Sequence, residues 1–203
     1  MASIIKVNDI QNTSGANIIN ESSNTITIGA SGDTVSVPSG ATFDVSNATV
    51  NGISAGITSA EHWRLTTSFS GNADPLTNLE RADNTKSGSV GTGITESSGV
   101  FTLPTGIWKI EFICQIYGSG GTDAQVNCQI KVDETGGGTF TEYANALINL
   151  VNNSWTTGYI SIMLDVTDSN VKTRFAVTGN GGEVAGNSSQ TFTHMNFIRL
   201  GDT

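Results

Sequence analysis

Gly99-Val-Phe-Thr-Leu-Pro-Thr-Gly-Ile-Trp-Lys-Ile-Glu-Phe-Ile-Cys-Gln-Ile-Tyr117 reads as a short strand, a Pro-Gly turn and a long strand. From Trp108 onward, Trp108, Ile110, Phe112, Cys114 and Ile116 fall on one face. Lys109, Glu111 and Gln115 fall on the other, with Ile113 as its apolar exception. Successive side chains leave a strand on opposite faces, so this period of two marks a long, half-buried strand.

The same period runs outward from this stretch. After the reversal Gly118-Ser-Gly-Gly-Thr122, Ala124, Val126, Cys128, Ile130 and Val132 alternate with Gln125, Asn127, Gln129 and Lys131. Ala144, Ala146, Ile148 and Leu150 form the face of a next strand, and Ile160, Ile162 and Leu164 that of another. Val171 to Val177 and Phe192 to Leu200 supply two more, and Trp63, Leu65, Thr67 and Phe69 alternate upstream. Phe192 to Leu200 is apolar on both faces and is expected at the centre of a sheet. Strands at this spacing, joined by Gly/Asn/Asp turns, predict an all-β two-sheet sandwich or jelly roll.

Composition agrees. The chain has 203 residues, 24 of them Gly, and 13% are charged, which disfavours helices and favours tight turns. A formal charge of −9 with nine scattered Lys and Arg leaves no basic footprint for nucleic acid or an anionic membrane. No apolar run approaches the roughly 20 residues that span a bilayer, and the first residues lack a signal-peptide core. Production in a cytosol is the expectation. Two cysteines, Cys114 and Cys128, are no disulfide framework; buried free thiols or one bridge both fit.

Residues 1–20 carry a short apolar alternation at Ile5, Val7 and Ile10, with Ile4 opposite. This stretch is either a loosely ordered terminus or an anchor that folds when it docks on a partner. Residues 21–58 hold a repeat with units of eight, TITIGASG, DTVSVPSG, ATFDVSNA and TVNGISAG. Ile26 and Ile28, Val35 and Val37, and Phe43 and Val45 recur as apolar pairs. Such pairs are too small to form a core in one chain, and three copies around an axis would bring them together as a trimeric β-shaft. Residues 59–203 then form the head.

The pattern Gly99-Val-Phe101-x-x-Pro104-x-Gly106-x-Trp108-x-Ile110, with the closing strand Thr191 to Leu200, resembles the jelly-roll heads of the first complement component and the tumour-necrosis-factor ligands. The resemblance implies a ten-stranded jelly roll that trimerises through one sheet face. It departs from the family in having one residue between Pro104 and Gly106 and no Gly between the aromatics of the last strand. The start Met-Ala-Ser-Ile-Ile-Lys and the run from Thr25 to Val45 are similar to fibre proteins of marine tailed bacteriophages. That resemblance implies a homotrimeric virion fibre, assembled in the host cytoplasm. It would dock on capsid or tail proteins by Ile4, Ile5, Val7 and Ile10 and present the head to a host-surface glycan or protein. A capsid-mounted head fibre or decoration protein is the alternative, and a secreted carbohydrate- or receptor-binding module is another.

No catalytic constellation stands out, and no cofactor is expected. His62 and His194 lie about 130 residues apart with no Cys or carboxylate at metal spacing. His194, on a central strand, reads as a satisfied core or interface side chain. Asp133-Glu134 and the pair Asp165 and Asp168 fall in turns, where Asp serves the backbone. Calcium is the one metal such oxygen-rich loops suit, without assignable ligands. Trp155 beside Asn152 and Asn153 is the aromatic expected in a loop, either as a binding tip or folded over the core.

Overall fold

The computed structural model describes residues 9–11, 13–15, 17–23, 25–28, 31–44, 57–82, 89–91, 93–118, 125–179 and 181–203. Ile4, Ile5, Val7 and Val45 therefore lie outside the described residues. The chain divides into two compact units, Met1–Ile53 and Ser54–Thr203. All regular structure among the described residues is β.

In the first unit, β1 (Asp9–Gln11), β2 (Asn17–Ser22) and β3 (Thr25–Ile28) form an antiparallel three-stranded meander in that order. It carries Ile10 on β1 and Ile26 and Ile28 on β3, all exposed. Residues 31–44 form no strand. They make two turns eight residues apart, at Gly32 and Gly40, whose φ values of +95° and +86° suit a residue without a Cβ. Val35, Val37 and Phe43 are exposed between and after these turns. Short strands expected here have no neighbouring backbone to pair with in a single chain, so the segment stays irregular.

The second unit is a sandwich of two antiparallel sheets. Its strands are β4 (Ala60–Leu65), β5 (Thr67–Ser70), β6 (Leu79–Arg81), β7 (Thr95–Ser97), β8 (Val100–Thr102) and β9 (Gly106–Tyr117). They continue with β10 (Gln125–Asp133), β11 (Thr141–Asn149), β12 (Trp155–Val166), β13 (Lys172–Thr178), β14 (Glu183–Asn187) and β15 (His194–Gly201). One sheet has the order β11-β10-β13-β8-β7, the other β5-β14-β9-β15-β4-β6 with β12 on the free side of β9. Among the described residues the sheets thus hold five and seven strands rather than the ten expected in total. Part of the excess arises because Thr66 splits the first predicted strand into β4, which pairs with β15, and β5, which pairs with β14.

The long strand is the spine of the seven-stranded sheet. All twelve residues of β9 pair with β12, while its other edge pairs with β15 and then with β14. Its burial alternates without a break, with Trp108, Ile110, Phe112, Cys114 and Ile116 inside. The expected strand pair around Pro104 takes a different form, because β8 and β9 belong to opposite sheets. Pro104-Thr-Gly106 is a crossover, held by a hydrogen bond from Trp108 Nε1 to the Pro104 carbonyl at 2.8 Å. Gly106 turns it with φ +140°, where a Cβ would meet Arg199 and the Gly201 carbonyl.

Side chains from both sheets fill the core. Phe101 of β8 lies 5.0 Å from Phe197 of β15 and 5.5 Å from Phe175 of β13, ring centre to ring centre. Trp63 meets Phe101 edge-on at 5.3 Å. Buried Glu61 is satisfied by Arg81, Trp63 Nε1 and the Ile94 amide, so its charge is matched inside the sandwich. β15 lies between β9 and β4, as its pattern predicted, but its outer face carries His194, Asn196 and Ile198.

Candidate functional site

The outer face of the seven-stranded sheet holds a connected polar network of side chains from four strands. Strand register builds it. Ser161 of β12, Glu111 of β9, Asn196 of β15 and His62 of β4 stand side by side in one row. Tyr159, Ile113, His194 and Arg64 form the next row. Residues paired across antiparallel strands share a face, so eight positions remote in sequence meet on one surface.

Glu111 is the hub. Lys109 Nζ lies 2.7 Å from its Oε1, and the Tyr159 hydroxyl donates to the same oxygen at 2.8 Å. Asn196 Nδ2 donates to Oε2 at 3.1 Å. The Lys109 hydrogen bond, supported by those of Asn196 and Tyr159 and opposed by burial, holds the carboxyl below its usual range. The same bond raises the Lys109 ammonium. An ionised carboxylate only accepts, which fixes the Asn196 amide nitrogen toward Glu111 and its oxygen toward His62. That oxygen is 2.6 Å from His62 Nδ1. The His62 and His194 rings lie 4.8 Å apart, and His194 Nδ1 lies 2.9 Å from the Phe192 carbonyl. Burial and the neighbouring His62 push the His194 imidazole down. Sequence spacing gave no hint of this pairing, and His194 stands on the outer face rather than in the core.

Apolar groups flank the network. Trp155, Tyr159 and Met163 on the outer face of β12 are 53%, 55% and 62% exposed. β12 is the end strand of its sheet, whereas exposed Leu147 of β11 lies on the outer face of the five-stranded sheet.

Trp155 is the first residue of β12, paired with Tyr117, and not a loop residue. Its exposed ring packs on Tyr117 at 5.1 Å and is not folded over the core. Asn152 and Asn153 form the preceding turn, and both are exposed. Asn153 has φ +56° and donates its amide to the Gly118 carbonyl at 2.8 Å. Asn is suited to that backbone conformation, so geometry alone accounts for it there. Ile10 and the pairs Ile26 and Ile28, Val35 and Val37 are exposed, as is Phe43, and all belong to the first unit.

Asp133 and Asp168 serve the backbone, whereas Asp165 lies within β12 rather than in a turn and Glu134 accepts from the Tyr143 hydroxyl. Asp133 accepts from the Thr135 amide and hydroxyl and from the Gly136 and Gly138 amides. The Thr135 amide bond is the largest influence that lowers its pKa. Asp168 accepts from the Asn170 amide at 2.6 Å. Among the described residues no three of His, Cys, Asp and Glu are grouped to hold a metal ion on their own.

No family model matches the chain, and no curated protein sequence does. Solved structures do. The chain is similar to murine APRIL, with a TM-score of 0.55 and 10% identity over 70% of this chain and 98% of that one. It is also similar to Eiger TNF from S. frugiperda, with a TM-score of 0.56 and 9% identity over 73% of this chain and 96% of that one. The second unit therefore has a jelly-roll fold of the tumour-necrosis-factor type.

Proposed function

We propose that the chain is a non-enzymatic attachment protein in which three copies associate through the outer face of the seven-stranded sheet. The observation that carries this reading is the exposure of Trp155, Tyr159 and Met163, three large side chains on the outer face of β12. Large apolar side chains grouped at the edge of a stable sandwich favour burial against another molecule. The fold supports a second copy as that molecule, because the resemblance implies association through one sheet face. The first unit adds to it. Turns at Gly32 and Gly40 keep a spacing of eight, and the exposed pair between them, Val35 and Val37, suits a shaft closed by other copies.

The fuller reading is a virion fibre, docked by its N-terminal residues and presenting the head to a host surface. Sedimentation of the purified chain tests the assembly: a trimer at micromolar concentration is expected, and a monomer there overturns it. Deleting residues 1–20 tests the docking. The fibre reading expects loss of incorporation into particles with the head still trimeric, whereas a free receptor-binding module would be unaffected.

A further inference from the structure

We infer that His62 and His194 form a two-imidazole site for a nitrogen-preferring divalent transition-metal cation, of the Zn2+, Ni2+ or Cu2+ class. The inference goes beyond the attachment reading; the two share the outer face of the seven-stranded sheet, the histidines on β4 and β15 and the exposed contact residues on β12.

Three observations converge. The first is the tautomer of each ring. Asn196 is oriented by Glu111 so that its carbonyl oxygen faces His62 Nδ1 at 2.6 Å. That contact is a hydrogen bond only if Nδ1 carries the proton. His194 Nδ1 faces the Phe192 carbonyl at 2.9 Å, and a carbonyl only accepts, so it too carries its proton at Nδ1. In the neutral form both rings therefore keep a lone pair on Nε2. Metal-binding histidines are arranged in this way, with one nitrogen donated to a fixed oxygen and the other free to ligate.

The second observation is distance. A metal–nitrogen bond of about 2.0–2.1 Å puts the cation about 3.2 Å from each ring centre. Two imidazoles at angles of roughly 90–109° on one cation then have centres about 4.5–5.2 Å apart. The observed separation of 4.8 Å lies inside that window.

The third is the support behind the rings. His62 stands opposite Asn196 on neighbouring strands, and Asn196 is anchored to Glu111, which is itself held by Lys109 and Tyr159. A chain of fixed partners from carboxylate to imidazole orients the ring without occupying Nε2. Imidazole selects zinc, nickel and copper over the oxygen-seeking calcium and magnesium. The absence of a third protein ligand among the described residues leaves the remaining positions to water. Asn196 is thus a positioning residue and the two histidines are the ligands.

Calorimetric titration of the full chain with ZnCl2, NiCl2 and CuCl2 at about pH 7.5 tests the site. One cation per chain is expected, bound at least tenfold more weakly by His62→Gln and by His194→Gln. No binding of any of the three cations overturns the proposal, as does unchanged affinity in both variants. Electron paramagnetic resonance of Cu2+ on the unmodified chain gives a test free of any folding defect. Coupling to two equatorial nitrogens is expected, and coupling to none overturns it. Asn196→Leu keeps both ligands but releases His62, with an expected tenfold or greater loss of affinity. Unchanged affinity there overturns the positioning role.

Discussion

The Tyr159 hydroxyl donates to Glu111 Oε1 at 2.8 Å from the neighbouring strand, and Lys109 Nζ lies 2.7 Å from that same oxygen. Three elements of recognition chemistry, a phenol, an ammonium and a carboxylate, are thereby locked on one sheet face. The Lys109 hydrogen bond is the largest influence lowering the Glu111 pKa from its ordinary 4.5. A carboxyl depressed in the folded state is protonated more readily in the unfolded chain. Its stabilising contribution is complete above the unfolded value and is lost as pH falls through the lower folded value. Glu111→Gln removes it. The variant should be about 1–2 kcal/mol less stable at pH 7, with the difference shrinking below about pH 4.5. Urea unfolding of both chains across that range checks the prediction, and a pH-independent difference contradicts it.

The crossover at Gly106 is the next point of sensitivity. Its φ of +140° is reached at low cost only without a Cβ, and a methyl group there would meet the Arg199 guanidinium and the Gly201 carbonyl. Gly106→Ala should cost about 2 kcal/mol or more, since backbone strain and overpacking act together. Gly137, outside the left-handed region and with only Thr135 Oγ1 nearby, is the control, and Gly137→Ala should be close to neutral. Comparing denaturant midpoints tests the contrast; equal losses would remove the special role of the crossover.

The head was legible in the sequence where one face is buried against solvent. Trp108 through Ile116 alternate inside and outside as their chemistry dictates, because a one-residue slip would expose every one of them. Sheet membership was not legible at Pro104-Thr-Gly106. A hairpin turn and a crossover use the same residues, and hydrogen bonds to distant strands decide between them. The outer-face network was hidden for a related reason. Glu111, Asn196 and His62 are neighbours through the pairing of three strands, and none of their spacings in the chain encodes it. Trp155 looked like a loop residue beside Asn152 and Asn153, yet β9 is long enough to pair as far as Tyr117 and draws Trp155 into β12.

Cys114 and Cys128 settle a choice that composition left open. They lie on opposite sheets, both buried, as free thiols. The Cys128 thiol beside it and burial raise the Cys114 pKa well above the ordinary value, which suppresses the reactive thiolate. The native chain should therefore be inert to Ellman's reagent, and unfolding in guanidinium should release two reactive thiols. Rapid reaction without denaturant contradicts the burial, and no thiol on unfolding would mean a bridge.

The exposed face of β12 gives the most direct test of assembly. Met163 pairs across to Lys109 and Tyr159 to Ile113, so both project outward from the same strand and away from the core. A charge at Met163 costs little in an isolated head, because that side chain is 62% exposed. In an assembly that buries this face, the same charge must be desolvated beside a Lys109 already paired with Glu111, at a cost of several kcal/mol per contact. Met163→Glu should thus leave the unfolding free energy of the separated chain within about 0.5 kcal/mol of the unmodified one while converting trimer to monomer. Sedimentation velocity at micromolar concentration reads the second effect and circular dichroism the first. A Met163→Glu chain that sediments as an unchanged trimer would exclude the β12 face as the contact and move the interface elsewhere on the head.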